Sequence, residues 1–535
     1  MIRPIAAIAF LIGLVPAFAF WWQTGRPAVV VDGVGGKIPC VSYTPFRGAL
    51  SPHQEGIVVP KAWIEADMKL LANHVGCVRT YAVDQGLDAV PEAAAKVGLK
   101  VLLGIWIGRK DADNRVQIER AIELARAHKG TVRAVIVGNE VLLRREQSPE
   151  SVARYLTEVR RRAEVPVTYA DVWEFWVQNA GLAAAVDFVT VHILPYWEDD
   201  PIPAGISPGY IVDIWKHVKA KFPGKDVFIG EVGWPSAGRM REGSRPGRIE
   251  QAQVLRGFSV QAAATPGLDY NLIEAFDQPW KRVQEGTVGG YWGVFDENRA
   301  RKFPWRGPVA ENPDWRMHLA VAAMFALVLI VGLSLKTGGS PARWFAVGLG
   351  AHLSGGAVVL QWVAAVEGAR TPLEWTVATA GIALTAGIAW TASRRAFEDA
   401  PGRTVTVDRA LAWAVGRARE PFDAAMGLGF LRAASIVAAT VVTLALAFDG
   451  RYRGFPVAAF AVPAALFALL AWLNRRAPVE GAAPEESWLA GTLATGAVAV
   501  AAVEGWRNHQ ALLWTATALT LAAPALIDAW RRRIR

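Results

Sequence analysis

Glu140 and Glu231 each close a short apolar run, Ala134-Val-Ile-Val-Gly-Asn-Glu140 and Val227-Phe-Ile-Gly-Glu231. Runs of this kind, bounded by turn residues, read as buried parallel strands. A carboxylate at the end of such a strand is costly unless it faces a wet cleft. Two carboxylates across one cleft are what cleavage of a glycosidic bond requires. One gives and takes a proton, and the other acts as nucleophile or as base toward water.

The elements that must hold the pair form a regular series. Strand-like runs fall near 38–43, 77–81, 99–106, 132–140, 166–171, 187–193, 226–232 and 269–276. Amphipathic stretches separate them. In 60–75, Ile64, Met68, Leu71 and Val75 recur at helical spacing, and 149–163 opens on Ser148-Pro149-Glu150, an N-cap followed by proline. Strands alternating with helices predict an α/β domain with a parallel sheet, and eight repeats permit closure into a (β/α)8 TIM barrel. A doubly wound open sheet is the alternative, but no glycine-rich phosphate loop follows the first strand.

Reactive groups of a barrel lie at strand C-terminal ends. Those ends predict Glu140 and Glu231 as catalytic. They predict Tyr43, Tyr81, Asn139, Asp171, Trp173, His192, Tyr196, Trp234, Glu274, Asp277, Trp280 and Lys281 as substrate-binding. Aromatics, amides and acids on one rim make a sugar-binding surface, with Trp173, Trp176 and Trp197 on the acceptor side. The competing readings are core packing for any single aromatic, and a buried ion pair with Arg79 or Arg133 for the two glutamates.

Composition divides the chain. Of the 535 residues, 53% are hydrophobic, and the mean hydropathy is +0.23. The apolar excess lies in residues 4–22 and in seven further segments near 317–335, 343–366, 373–392, 428–448, 455–473, 488–503 and 511–530. Each is close to the ~20 residues that span a bilayer core. This predicts an N-terminal signal-anchor or signal peptide (1–26), an extracytoplasmic barrel (27–315) and an all-α multi-span transmembrane domain (316–535). Arg306 to Pro313 serves as the linker. Loops on the N-terminal side of the segments carry fifteen Lys and Arg, and the opposite short loops carry four. Both termini are therefore expected in the cytoplasm if the first segment is retained. The net charge of +9 follows from these loops, and no basic stripe points to nucleic acid. Arg432 and Glu504, near segment ends, are expected to snorkel, His352 lies within a segment, and Gly348, Gly355 and Gly356 are expected to let helices pack closely.

Cys40 and Cys77 lie near the starts of neighbouring strands. Buried free thiols are the expectation, with a disulfide open if the domain is exported. No metal-ligand cluster or cofactor motif is visible.

At these residues the chain resembles glycoside hydrolase family 17, the β-1,3-glucanase and glucanosyltransferase family. The resemblance covers roughly 38–305. It is carried by Gly230-Glu-Val-Gly-Trp-Pro-Ser236, Val137-Gly-Asn-Glu-Val141, Thr168-Tyr-Ala-Asp-Val-Trp173 and Tyr291-Trp-Gly-Val-Phe295. Val232 departs from the Thr or Ser that plant members carry beside the nucleophile. The resemblance implies a retaining (β/α)8 enzyme with Glu231 as nucleophile and Glu140 as acid/base. The Glu140 pKa is expected to be raised by burial and by Glu231, and Tyr196 is expected to orient Glu231. It implies a β-glucan partner and, by analogy with bacterial members, a periplasmic catalytic domain on the inner membrane, acting on glucan leaving a synthase. The lipid bilayer is the other expected partner. Two other readings are a non-catalytic glucan-binding module and a membrane export or assembly partner with the barrel as accessory.

Overall fold

The computed structural model describes residues 4–335, 340–397, 407–417, 423–473 and 484–534. Arg3, Lys336, Arg403, Arg419, Arg475, Arg476 and Arg535, part of the loop charge counted above, lie outside the described residues. The chain divides into two compact units. One comprises Ala28–Gly238 and Gly243–Val309; the other comprises Met1–Pro27, Arg239–Glu242 and Ala310–Arg535.

The first unit is a closed parallel barrel of eight strands in sequence order. They are β1 Cys40–Ser42, β2 Cys77–Arg79, β3 Lys100–Ile105, β4 Val132–Asn139, β5 Val167–Val172, β6 Val189–His192, β7 Val227–Val232 and β8 Asp269–Leu272. The first strand closes on the last, with Val41 beside Leu272. Helices alternate with the strands as expected. Lys61–Leu71 buries Ile64, Met68 and Leu71. Pro149–Arg162 starts at Ser148, whose hydroxyl accepts from the Ser151 amide at 3.3 Å.

Period-two alternation sorts the strand side chains into two cores. Val41, Val78, Leu103, Val135, Val137 and Ile229 pack outward in the large cluster shared with the helices. Cys40, Cys77, Leu102, Ala134, Ile136, Ala170 and Phe228 fill the barrel itself. Further along, the inward side chains turn polar: Ser42, Arg79, Thr190, His192 and Asn271 are buried. The pairing register shifts at this level between β4 and β5, β6 and β7, and β7 and β8. Such bulges re-aim side chains beside active sites, and here they flank the strand ends that carry Glu140 and Glu231.

Cys40 and Cys77 form a disulfide inside the barrel, which corrects the expectation of free thiols. Both cysteines begin adjacent strands with the same inward parity, so their side chains meet. The strand boundaries alone do not show this.

The second unit is helical. Its longer helices are Pro4–Gly25, Trp315–Ser334, Pro341–Gly368, Pro372–Arg395, Ala424–Phe448, Val457–Leu473, Pro484–Glu504 and His509–Ile534. Among the described residues, seven are long and apolar enough to cross a membrane, and Val457–Trp472 is shorter. A short helix, Val407–Ala414, was not expected. Close packing at glycine is present. A Cβ on Gly348 would lie 2.3 Å from the Ala9 carbonyl oxygen, and one on Gly355 2.3 Å from that of Ala322. Gly356 meets nothing within 4 Å. Arg432 does not snorkel but pairs with Glu486 at 3.1 Å, both groups buried. Glu504 pairs with Arg239 of the same unit. His352 bonds the Gly348 carbonyl through Nδ1 at 2.9 Å.

Candidate active site

Glu231 is the penultimate residue of β7 and is 4% exposed. Its Oε1 accepts from the Tyr81 hydroxyl at 2.8 Å and from Arg79 Nη1 at 3.2 Å. Tyr81 Oη is also 2.8 Å from Ser42 Oγ. A phenol has one proton, so the proton given to Glu231 leaves Ser42 to donate to Tyr81. Ser42 in turn accepts from Asn271 Nδ2 at 2.8 Å. The chain Asn271–Ser42–Tyr81–Glu231 is thus a directed relay from β8 through β1 and the segment after β2 to β7. Burial, then the Glu231 charge, holds the Tyr81 phenol well above its usual pKa, so it remains a donor.

Arg79 is 1% exposed at the end of β2. Besides Glu231 it bonds the Gly230 carbonyl at 2.7 Å and Asn139 Oδ1 at 2.5 Å, and it stacks 4.7 Å from the Tyr81 ring centroid. A Cβ on Gly230 would come within 2.6 Å of Thr190 Cγ2 and 3.3 Å of Arg79 Nη1. The glycine before Glu231 therefore leaves room first for Thr190, and then for His192 and Arg79.

Glu140 follows β4 with φ +52°, preceded by Gly138 at φ +88°. Left-handed backbone is unfavourable at a glutamate, and several bonds hold it. The Glu140 amide donates to Ala170 O at 2.8 Å, and its carbonyl accepts from the Arg144 amide at 2.9 Å. The Leu142 amide donates to Tyr169 Oη and Asp171 Oδ2 at 3.0 and 3.2 Å. Arg144 ties the turn to Asn139, Ile107 and Glu146. The Glu140 side chain is 22% exposed and meets His192 Nδ1 through Oε1 at 2.8 Å.

The two glutamates and His192 converge. One oxygen of each glutamate and a ring nitrogen of His192 all lie within 4.8 Å of one another. That triangle is compact enough for a cation, but Arg79 already supplies positive charge there. The ion pair with Arg79, weighed above as a competing reading, is present at Glu231. Arg133 instead pairs with Asp269.

The Glu140 carboxyl is held below its usual range, contrary to expectation. Burial pushes it up, but the His192 hydrogen bond and charge, with Arg144 and Arg79, more than offset this. The expectation counted Glu231 and burial but not a partner on β6.

The other predicted ligands divide by what their polar atoms already hold. Tyr81, Asn139 and His192 are in the centre. Trp173 is half-buried, with Nε1 donating to Glu198 at 3.4 Å. Tyr196 is 1% exposed and packs edge-on against Trp197, Trp234 and Trp292. Three residues read as rim ligands are instead internal ties. Tyr43 bonds buried Asp67 at 3.1 Å, Asp171 holds the turn after Glu140, and Trp234 donates to Arg245 O at 3.0 Å. Trp176 is also core, donating to Thr190 O at 2.8 Å. Each strand end offers two directions, and sequence position does not distinguish them.

After β8, Glu274 pairs with Lys281 at 2.6 Å and Asp277 with Lys302 at 2.6 Å. Burial pushes the two carboxyls up to about 7 and about 6, against the pull of the lysines. Trp280 donates to Gln278 at 2.8 Å. Ser42, Asn271 and Arg144 were not predicted as site residues. Ser42 and Asn271 share the inward parity of the barrel interior, which is the signal that could have found them.

Residues 40–293 match the family model described as BtgE/BtgC glycoside hydrolase domain. The chain is 27% identical over 265 residues to a glucan 1,3-beta-glucosidase of Arthroderma benhamiae, covering 46% of this chain and 86% of that protein. It is 26% identical over 320 residues to the glucan endo-1,3-beta-glucosidase btgC of Emericella nidulans, covering 54% of this chain and 48% of that one. The chain thus spans about half of that longer relative. Among solved structures, the family 17 beta-1,3-glucanosyltransferase of Rhizomucor miehei aligns with 23% identity and a TM-score of 0.45, over 51% of this chain and 98% of its own.

Proposed function

We propose that the barrel is a retaining glycosidase or transglycosylase of glycoside hydrolase family 17, acting on β-1,3-linked glucan. The observation that carries this reading is the convergence of Glu140 and Glu231, with carboxylate oxygens no more than 4.8 Å apart. Retaining enzymes hold their carboxyls about 5–5.5 Å apart, whereas inverting enzymes leave room for a water at about 6.5–9.5 Å. The family model and the named relatives supply the substrate class.

In the first half-reaction Glu231 attacks the anomeric carbon, the glycosidic C–O bond breaks, and Glu140 gives its proton to the departing oxygen. Both Tyr81 and Arg79 bond Oε1 of Glu231, which leaves Oε2 to attack. In the second half, Glu140 takes a proton from water or from a sugar hydroxyl, which displaces Glu231 from the anomeric carbon. Asn139 Oδ1 accepts from Arg79, so the Asn139 NH2 group is the part that can donate to a sugar hydroxyl. Trp106, 39% exposed beneath Arg144 at 4.3 Å, offers a ring for a pyranose face.

The helical unit is read as a multi-pass bilayer anchor that places the barrel on the extracytoplasmic face of a cell membrane, near a source of exported glucan. The length and apolarity of its helices, the loop-charge asymmetry, and a disulfide of the kind oxidising compartments sustain support this.

The test uses the full-length chain in detergent with end-labelled β-1,3-gluco-oligosaccharides, and Glu231→Gln as control. Products both longer and shorter than the substrate are expected from transfer, and shorter ones alone from hydrolysis. Either outcome supports glucan cleavage. A folded wild-type chain that leaves the oligosaccharide intact would contradict the reading and favour a glucan-binding module.

A further inference from the structure

We propose that His192 is a positioning residue for Glu140, seating the proton of the acid/base and tilting Glu140 toward its role as base. This rests on the glycosidase reading above. His192 lies at the end of β6 with its side chain wholly buried, and each ring edge has a distinct neighbour. Nδ1 is 2.8 Å from Glu140 Oε1. Nε2 is 3.3 Å from Arg79 Nη1 and 3.7 Å from Glu231 Oε1.

A contact of 2.8 Å between Nδ1 and a carboxyl oxygen holds one proton, and the other ring edge decides where it sits. A guanidinium can only donate. A neutral ring with its proton on Nδ1 turns the Nε2 lone pair toward Arg79, which is favourable. A neutral ring that accepts the Glu140 proton on Nδ1 must carry a hydrogen on Nε2, pointed at the Arg79 N–H groups. A fully protonated ring also donates from Nδ1. Arg79 therefore biases the pair toward Nδ1–H and a Glu140 carboxylate, in keeping with the lowered Glu140 pKa.

The surrounding charges act in both directions. Arg79 on β2 and Arg144 after β4 favour the carboxylate. Asp171 on β5, Glu231 on β7 and Glu285 beyond β8 oppose it. Among these groups only His192 bonds the Glu140 carboxyl directly. The consequence differs between the half-reactions. The first needs Glu140 protonated, so His192 narrows the pH range in which it proceeds. In the second, Glu231 is an ester without charge, and a Glu140 carboxylate held by Nδ1–H is the base that an incoming hydroxyl requires.

The experiment is the pH profile of kcat/KM for the full-length chain on β-1,3-gluco-oligosaccharide. Its basic limb reports the acid form of Glu140 in the free enzyme. His192→Phe removes the Nδ1 contact and is expected to move that limb to higher pH by about one unit or more. His192→Gln, whose amide reaches the Nε2 position and leaves the Nδ1 side empty, is expected to do the same and serves if the phenylalanine variant fails to fold. His192→Asn, whose amide nitrogen can replace Nδ1–H, is expected to keep its basic limb at the wild-type pH, whatever its rate. A basic limb unmoved or moved to lower pH in a folded Phe or Gln variant, or moved equally in Asn, would overturn the proposal. Such results leave the glycosidase reading intact. That reading fails separately, if wild type does not cleave the oligosaccharide.

Discussion

Replacing Glu231 with glutamine is expected to lower kcat on β-1,3-gluco-oligosaccharide by roughly 10⁴-fold or more, because a covalent route disappears with its nucleophile. The fold should survive. The amide keeps an oxygen for Tyr81 and Arg79, which hold the wild-type carboxylate at 2.8 and 3.2 Å. A thermal midpoint near wild type, with activity gone, therefore separates chemistry from structure. Glu231→Gly extends the argument by leaving a cavity beside the anomeric carbon. Azide is expected to enter it and displace the leaving group, giving the α-glycosyl azide from an activated aryl β-glycoside. Retained activity in Glu231→Gln, or a glycine variant that azide does not reactivate, would count against Glu231 as nucleophile.

Arg79→Met is expected to cost both stability and turnover. Arg79 is buried among Gly230, Glu231, Asn139 and Tyr81, so its removal leaves the Glu231 charge in a buried site without its cation. Breaking one side of a buried pair typically costs about 3–5 kcal/mol. For a unit of this size that corresponds to a fall in Tm on the order of 10 °C. Removing both charges avoids the uncompensated ion. The double variant Arg79→Met with Glu231→Gln should therefore recover much of the loss, a non-additivity expected of contacting residues. Activity should fall by at least about 100-fold in the single variant, since the nucleophile loses a donor that fixes Oε1. A double variant no more stable than Arg79→Met would show that the arginine acts through packing rather than through Glu231.

The eight strands were legible because they are short, apolar and separated by helical spacing; observed and expected boundaries differ by a few residues. The polar interior was legible only in part. Glu140 and Glu231 stand out because carboxylates interrupt apolar runs, whereas Ser42 and Asn271 look ordinary until strand parity places them inside the barrel. Tyr43, Asp171 and Trp234 lie at the expected strand ends, but the direction of each side chain depends on partners far along the chain, such as Asp67 for Tyr43. The same non-locality explains the Glu140 pKa. His192 is 52 residues away in sequence, and its bond reverses the effect of burial. In the helical unit, segment lengths were legible from apolarity alone. The pairing of Arg432 with Glu486 depends on which helices meet, and that information is tertiary.

Two close carboxylates that cleave a β-1,3-glucosidic bond through a glycosyl-enzyme must return the anomeric carbon to its starting configuration. The most direct test is the configuration of the first-formed product. Proton NMR of the anomeric region, recorded in the first minutes of cleavage by the full-length chain and before mutarotation, reads it without assumption about rate. The β-anomer, or a β-linked transfer product, is expected first. Initial release of the α-anomer would mean single displacement by water and would contradict the reading of Glu231 as nucleophile.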